Sequence, residues 1–142
     1  MLIFNYCHTI PVYRDARIIS TFKQSLDRLT AGASVVIFPE QNIKHNHIVY
    51  DFQDKFIDLA RLYYKKTGQA LRFVPLYIAP KLRQMTLGDP VDFDPAAPIG
   101  EERARIKEYL MAEITRVAES LPLHTVVPYR NIPKKLYPKN RP

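Results

Sequence analysis

The sequence has one cysteine, four glycines and no long apolar run, and each shortage closes off a class of protein. A lone Cys7 leaves no partner for an internal disulfide, which suits a reducing compartment, and it has no neighbour in sequence that would activate it as a nucleophile. Gly32, Gly68, Gly88 and Gly100 are scattered, each near the end of an element, so no glycine-rich phosphate loop exists. No stretch approaches the length of a membrane-spanning helix, and the opening "MLIFNYCHTI" lacks the basic start of a signal peptide. Acidic residues are also scarce beside basic ones: 14 against 21, a formal net charge of +7. That excess favours anionic partners, such as acidic lipid headgroups, phosphate-bearing small molecules or nucleic acid. No nucleic-acid motif accompanies the charge. "RLYYKKTG" mixes aromatics with lysines, but Tyr63 falls on an apolar stripe and Lys65 and Lys66 suit a helix end.

What is present is enough for one globular domain of 142 residues, with an ordinary apolar share of 46% to build a core. Ile18, Phe22, Leu26 and Leu29 mark a helix, with Asp15 as its N-cap and Gly32 past its end. "SVVIF" follows as a short apolar strand of the type buried on both faces. Phe52, Phe56, Leu59 and Tyr63 define a second helix, closed by Gly68. "LRFVPLYIAP" reads as the next strand, and "KLRQMTLGDPVDF" as a further strand and a turn. Ile106, Leu110, Ile114 (or Glu113 on the adjacent row), Val117 and Leu121 line one side of a long final helix that starts at Glu101 and Glu102. This alternation predicts an α/β domain over residues 1–121, with a mixed, mostly parallel sheet flanked by helices in which "SVVIF" and "LRFVPLYI" are neighbours or near-neighbours. Residues 122–142, punctuated by Pro128, Pro133 and Pro138 and rich in lysine and arginine, read as an extended basic arm laid on that domain.

Three segments carry a resemblance. Arg14 precedes the first helix; Phe38, Pro39 and Glu40 end the first strand; Val74, Pro75 and Tyr77 sit in the second. In this order, and with "LGDPVDFDP" after them, they resemble the glycerolipid (lysophospholipid) acyltransferase family, over residues 11–121. The resemblance implies a chain related to enzymes of phospholipid synthesis, which move an acyl group from acyl-CoA or acyl-carrier protein to a lysophospholipid or similar hydroxyl. It implies no cofactor or metal, a cytoplasmic location at the membrane periphery, and an anionic membrane surface as partner. Acceptor-binding positions would be Arg14, Glu40, Gln41, Asn42, Lys44 and His45, with Phe38, Pro39 and Pro75 shaping the site: Pro39 fixing the turn and Phe38 filling the core beneath it.

The chain departs from the family pattern twice. The Phe-Pro-Glu block continues in the family as Gly-x-Arg but here as Gln41, Asn42 and Ile43, so the arginine that would meet an acceptor phosphate is replaced, with Lys44, His45 or Arg17 as substitutes. The family's general base lies in a His-x-x-x-x-Asp block upstream of the one that Arg14 matches, and no histidine here has an aspartate at that spacing. His8, the one histidine near the place, is followed by Asp15 and abuts Arg14. The expectation is a chain equivalent to the C-terminal half to two-thirds of such a domain, weak or inactive by itself. The rival reading is a non-catalytic module on the same scaffold that holds an anionic ligand or partner. "HNH" at His45 to His47 lacks the further ligands a metal nuclease or zinc site needs, and His124 and Tyr129 read as packing residues of the arm.

Overall fold

The computed structural model describes residues 9–12, 17–41, 48–127 and 133–142. Within them, three α-helices and two small antiparallel sheets appear in the order α1 (Ile18–Thr30), α2 (Asp58–Thr67), β1 (Arg72–Phe73), β2 (Leu76–Ala79), β3 (Gln84–Leu87), β4 (Val91–Asp92) and α3 (Ile99–Ser120). Strand β1 pairs with β4, and β2 pairs with β3.

The expected mostly parallel sheet is therefore absent from the described residues, and the fold class is corrected to small antiparallel hairpins packed with helices. Residues 34–38 form no strand; Val36 and Phe38 are 65% and 81% exposed. A continuous apolar run cannot say by periodicity whether a ladder will form on it, and a parallel ladder needs a crossover and cover on both faces. Here every ladder joins segments close in sequence. "LRFVPLYIAP" also splits in two, because Pro75 has no N–H to give a ladder. The carbonyl of Pro75 instead accepts Gly88 N–H at 2.9 Å and closes the base of the β2–β3 hairpin.

Helix α1 ends where Gly32 takes a left-handed φ of 85°, and its half-buried Phe22, Leu26 and Leu29 lie on the side that packs against α2. Asp15, the expected cap, lies outside the described residues. Helix α2 is shorter than its sequence stripe. Phe52 belongs to an isolated antiparallel bridge with Glu40, and a 3₁₀ turn at Lys55–Ile57 leads into the helix. Its far end is closed by Gly68 at φ 73°, whose N–H reaches Tyr64 O at 2.8 Å.

Helix α3 organises the core. Ile106 and Leu110 pack with Phe52, Ile57, Ala60 and Phe93, while Val117 and Ala118 pack with Tyr77 and Ala79. Ile114 touches both clusters. Arg103 joins α3 to α2 through a two-pronged pair with Asp58, at 2.9 and 2.7 Å.

Two glutamates on the same helix are buried, Glu102 and Glu113, and each does the same job one core cluster apart. Glu102 accepts the Asp94 N–H at 2.8 Å and is held by Arg105; Glu113 accepts the Asp89 N–H at 2.8 Å and is held by Arg116. Buried charge survives only when paired and hydrogen-bonded, and both carboxylates meet that condition. The Arg105 guanidinium holds the Glu102 carboxyl below its ordinary range, and Arg116 holds Glu113 down to about 2. Together they pin the loop that carries β4 along the side of α3.

The C-terminal arm lies on the domain through Asn140, which is 1% exposed. Its Oδ1 accepts the His124 N–H at 2.9 Å, and its Nδ2 donates to Ala118 O at 2.7 Å, a last-turn carbonyl of α3 that otherwise receives only the long Leu121 N–H at 3.4 Å. Thr125 and Lys139 form a bridge beside it. His124 is buried, with Nδ1 2.8 Å from Pro122 O and Nε2 2.7 Å from the Tyr77 hydroxyl. A carbonyl only accepts, so Nδ1 is the donor to Pro122 O, and in the neutral ring Nε2 is then the acceptor for the Tyr77 hydroxyl. Replacing Asn140 by alanine should cost about 1–3 kcal/mol in urea unfolding and speed proteolytic clipping of the arm, because it strands buried partners. Equal stability and equal clipping would show that the arm is held elsewhere.

Candidate functional site

The two expected acceptor-binding positions that are described, Glu40 and Gln41, lie at one bridge. Glu40 pairs with Phe52, framed by Gln41 N–H to Asp51 O at 3.2 Å and Gln53 N–H to Pro39 O at 2.9 Å. Phe52, 4% exposed, plants this bridge in the core, so Glu40 is set by an anchored backbone. Pro39, half-buried, supplies the carbonyl and fixes the approach to the bridge.

The side chains extend the frame. Glu40 Oε1 accepts the Tyr50 N–H at 2.8 Å, which adds a side-chain tie to the backbone bridge. Gln41 Nε2 donates to Asp51 Oδ2 at 2.8 Å, and the other oxygen of Asp51 meets Lys107 Nζ of α3 at 2.5 Å. Glu40 and Gln41 are both half-buried. The result is a polar line, Glu40–Gln41–Asp51–Lys107, on the rim of the core.

Several expected members need separate placement. His8, Arg14, Asn42, Lys44, His45, the rest of the "HNH" triplet and Tyr129 lie outside the described residues. Arg17 stands exposed at the start of α1. Phe38 is corrected: it does not fill the core beneath Glu40 but points to solvent, because the strand that would have turned it inward does not form. Pro75 is buried at the root of the β2–β3 hairpin, where it interrupts the ladder.

Asp51 and Lys107 were not singled out by the sequence. Lys107 follows Ile106 on α3, and only the tertiary packing of that helix brings it to Asp51. The arrangement can bind through carboxylate, amide and ammonium groups, which suits a ligand with hydroxyls and negative charge. Among the described residues no group of three histidine, cysteine, aspartate or glutamate side chains is arranged to hold a metal ion. Among those residues, too, no helix is long and apolar enough to cross a membrane.

Comparison with protein-family models, with curated proteins and with solved structures finds no match to this chain.

Proposed function

We propose that this chain is an acyltransferase-type unit that holds the hydroxyl acceptor, a lysophospholipid or a relative of one, for transfer from acyl-CoA or acyl-carrier protein. The observation that carries this reading is Glu40, fixed by the bridge to Phe52 and by Tyr50 N–H at a half-buried rim position. A carboxylate accepts hydrogen bonds through two oxygens, so one set at this rim is chemically suited to a substrate hydroxyl. The order of the Arg14, Phe38-Pro39-Glu40 and Val74-Pro75-Tyr77 blocks supports the same reading. Gln41 and Lys107 add an amide and a cation to the acceptor side.

In the reaction, the acceptor oxygen attacks the thioester carbonyl, the carbon–sulfur bond breaks, and the thiolate leaves with a proton. A base must take the hydroxyl proton, a contribution of roughly 10²- to 10⁴-fold in rate. No histidine here stands in the His-x-x-x-x-Asp pattern, so the chain binds and orients while the base comes from outside that pattern.

Transfer from radiolabelled acyl-CoA to lysophospholipid tests this. The 142-residue chain should give only background turnover, and added imidazole should raise it in a manner that depends on Glu40. Turnover without imidazole that His8→Ala abolishes would make His8 the base. Turnover that is insensitive to imidazole, to His8→Ala and to Glu40→Ala would overturn the reading.

A further inference from the structure

The β2–β3 hairpin is patterned the wrong way round for a solvated sheet. Its register pairs Leu76 with Leu87 and Ile78 with Met85 on one face, and Tyr77 with Thr86 and Ala79 with Gln84 on the other. The second face carries buried Tyr77 and Ala79 and packs on Val117 and Ala118 of α3. A half-covered antiparallel sheet ordinarily turns polar residues to water. Here β3 does the reverse: Thr86 lies on the core side, while Met85 and Leu87 stand 71% and 66% exposed beside Ile78 at 41%.

The hairpin's tip carries the complementary chemistry. Pro80–Leu82 forms a 3₁₀ turn, and Arg83 follows in a left-handed conformation with φ 52°. Lys81 and Arg83 are both exposed, and neither enters an ion pair among the described residues. An apolar face next to clustered cations matches the layered chemistry of an anionic bilayer, where phosphates lie just outside the acyl boundary. Two copies stacked face to face would bring together chains of net charge +7, so self-association is opposed where an anionic surface is favoured.

We propose that the outward face of the β2–β3 hairpin docks on an anionic lipid bilayer, with Ile78, Met85 and Leu87 entering the interface and Lys81 and Arg83 meeting lipid phosphates. This rests on the reading of a membrane surface as partner, and it moves the contact from the basic arm to the hairpin. Lys134 and Lys135 of the arm then contribute only long-range attraction.

Sedimentation with vesicles of phosphatidylglycerol and phosphatidylcholine, against vesicles of phosphatidylcholine alone, decides it. Wild-type protein should bind the anionic vesicles, and rising salt should weaken that binding. Met85→Asp with Leu87→Asp should weaken it at least tenfold, with an unchanged circular dichroism melt because both positions are exposed. Lys81→Gln with Arg83→Asn should weaken it roughly tenfold or more, and asparagine tolerates the left-handed φ at position 83. Binding that survives both hairpin variants but falls with Phe38→Asp, or with charge reversal at Lys134 and Lys135, overturns the hairpin assignment while leaving a membrane partner in place. No binding to anionic vesicles overturns both. A dimer in light scattering that Met85→Asp with Leu87→Asp dissolves would make a second copy the occupant instead.

Discussion

Replacing Gly88 by alanine should destabilise the protein by about 2 kcal/mol, a large effect for one methyl group. A Cβ at position 88 would stand 2.8 Å from both Cγ and Oε1 of Glu113. A flexible side chain would ordinarily move aside, but this one is buried and fixed by Arg116 and by the Asp89 N–H. The methyl group must therefore break the clamp or push the loop off α3. Glu113→Ala alone should cost about 2–3 kcal/mol, since it leaves the Asp89 N–H without its charged acceptor. The two losses should not add, because removing the glutamate also removes the clash. Urea unfolding of the two single variants and the double variant checks this. Full additivity would mean that Gly88 and Glu113 are not pressed together.

Acid should dissolve the same clamp in a defined window. Glu113 is held from an ordinary value of 4.5 down to about 2, chiefly by the Arg116 guanidinium and then by the Asp89 N–H, while burial acts the other way. A carboxylate with a lowered pKa in the folded state binds fewer protons there than in the unfolded chain. Its stabilisation is thus complete above about pH 4.5 and is lost as the pH falls towards about 2. Glu102, lowered by Arg105 in the same way, adds to the loss. Stability followed by thermal melts should fall steeply through this window, and Glu113→Gln should flatten the fall. Glutamine still offers an acceptor to Asp89 but carries no charge to titrate. An identical pH profile in wild type and Glu113→Gln would remove Glu113 as a source of acid sensitivity.

The helices were legible in the sequence because their apolar residues recur at three and four, and because Gly32 and Gly68 sit where left-handed ends require them. Boundaries drifted where one residue fitted two patterns. Phe52 lies four before Phe56 and so joined the helical stripe, yet it serves the bridge to Glu40. Strands do form within residues 71–80 and 81–93, but "SVVIF" and the parallel pairing failed for a different reason. Alternation and apolar runs describe a strand's faces but not its partner, and the partners here are close in sequence. In the sequence Glu102 marks the start of a helix and Glu113 the row beside its apolar stripe; their burial depends on loop N–H groups that no helical pattern encodes. Asn140 and Lys107 were silent because each acts through a residue distant in sequence. Of the proposed acceptor site, Glu40 and Gln41 are named by their place after Pro39, whereas the frame that holds them is not encoded there.

The proposed role of Glu40 is tested most directly by calorimetric titration of a short-chain, monomeric lysophosphatidic acid into the protein. Wild type should bind it saturably. Glu40→Ala should weaken binding about tenfold, as expected for losing a charged hydrogen bond to a hydroxyl. Glu40→Gln keeps an oxygen for the Tyr50 N–H and so preserves the bridge, which separates a lost contact from a displaced loop. It should bind with intermediate affinity. Undetectable binding to the wild type, or equal affinity in the wild type and Glu40→Ala, would contradict the assignment of Glu40 to the acceptor.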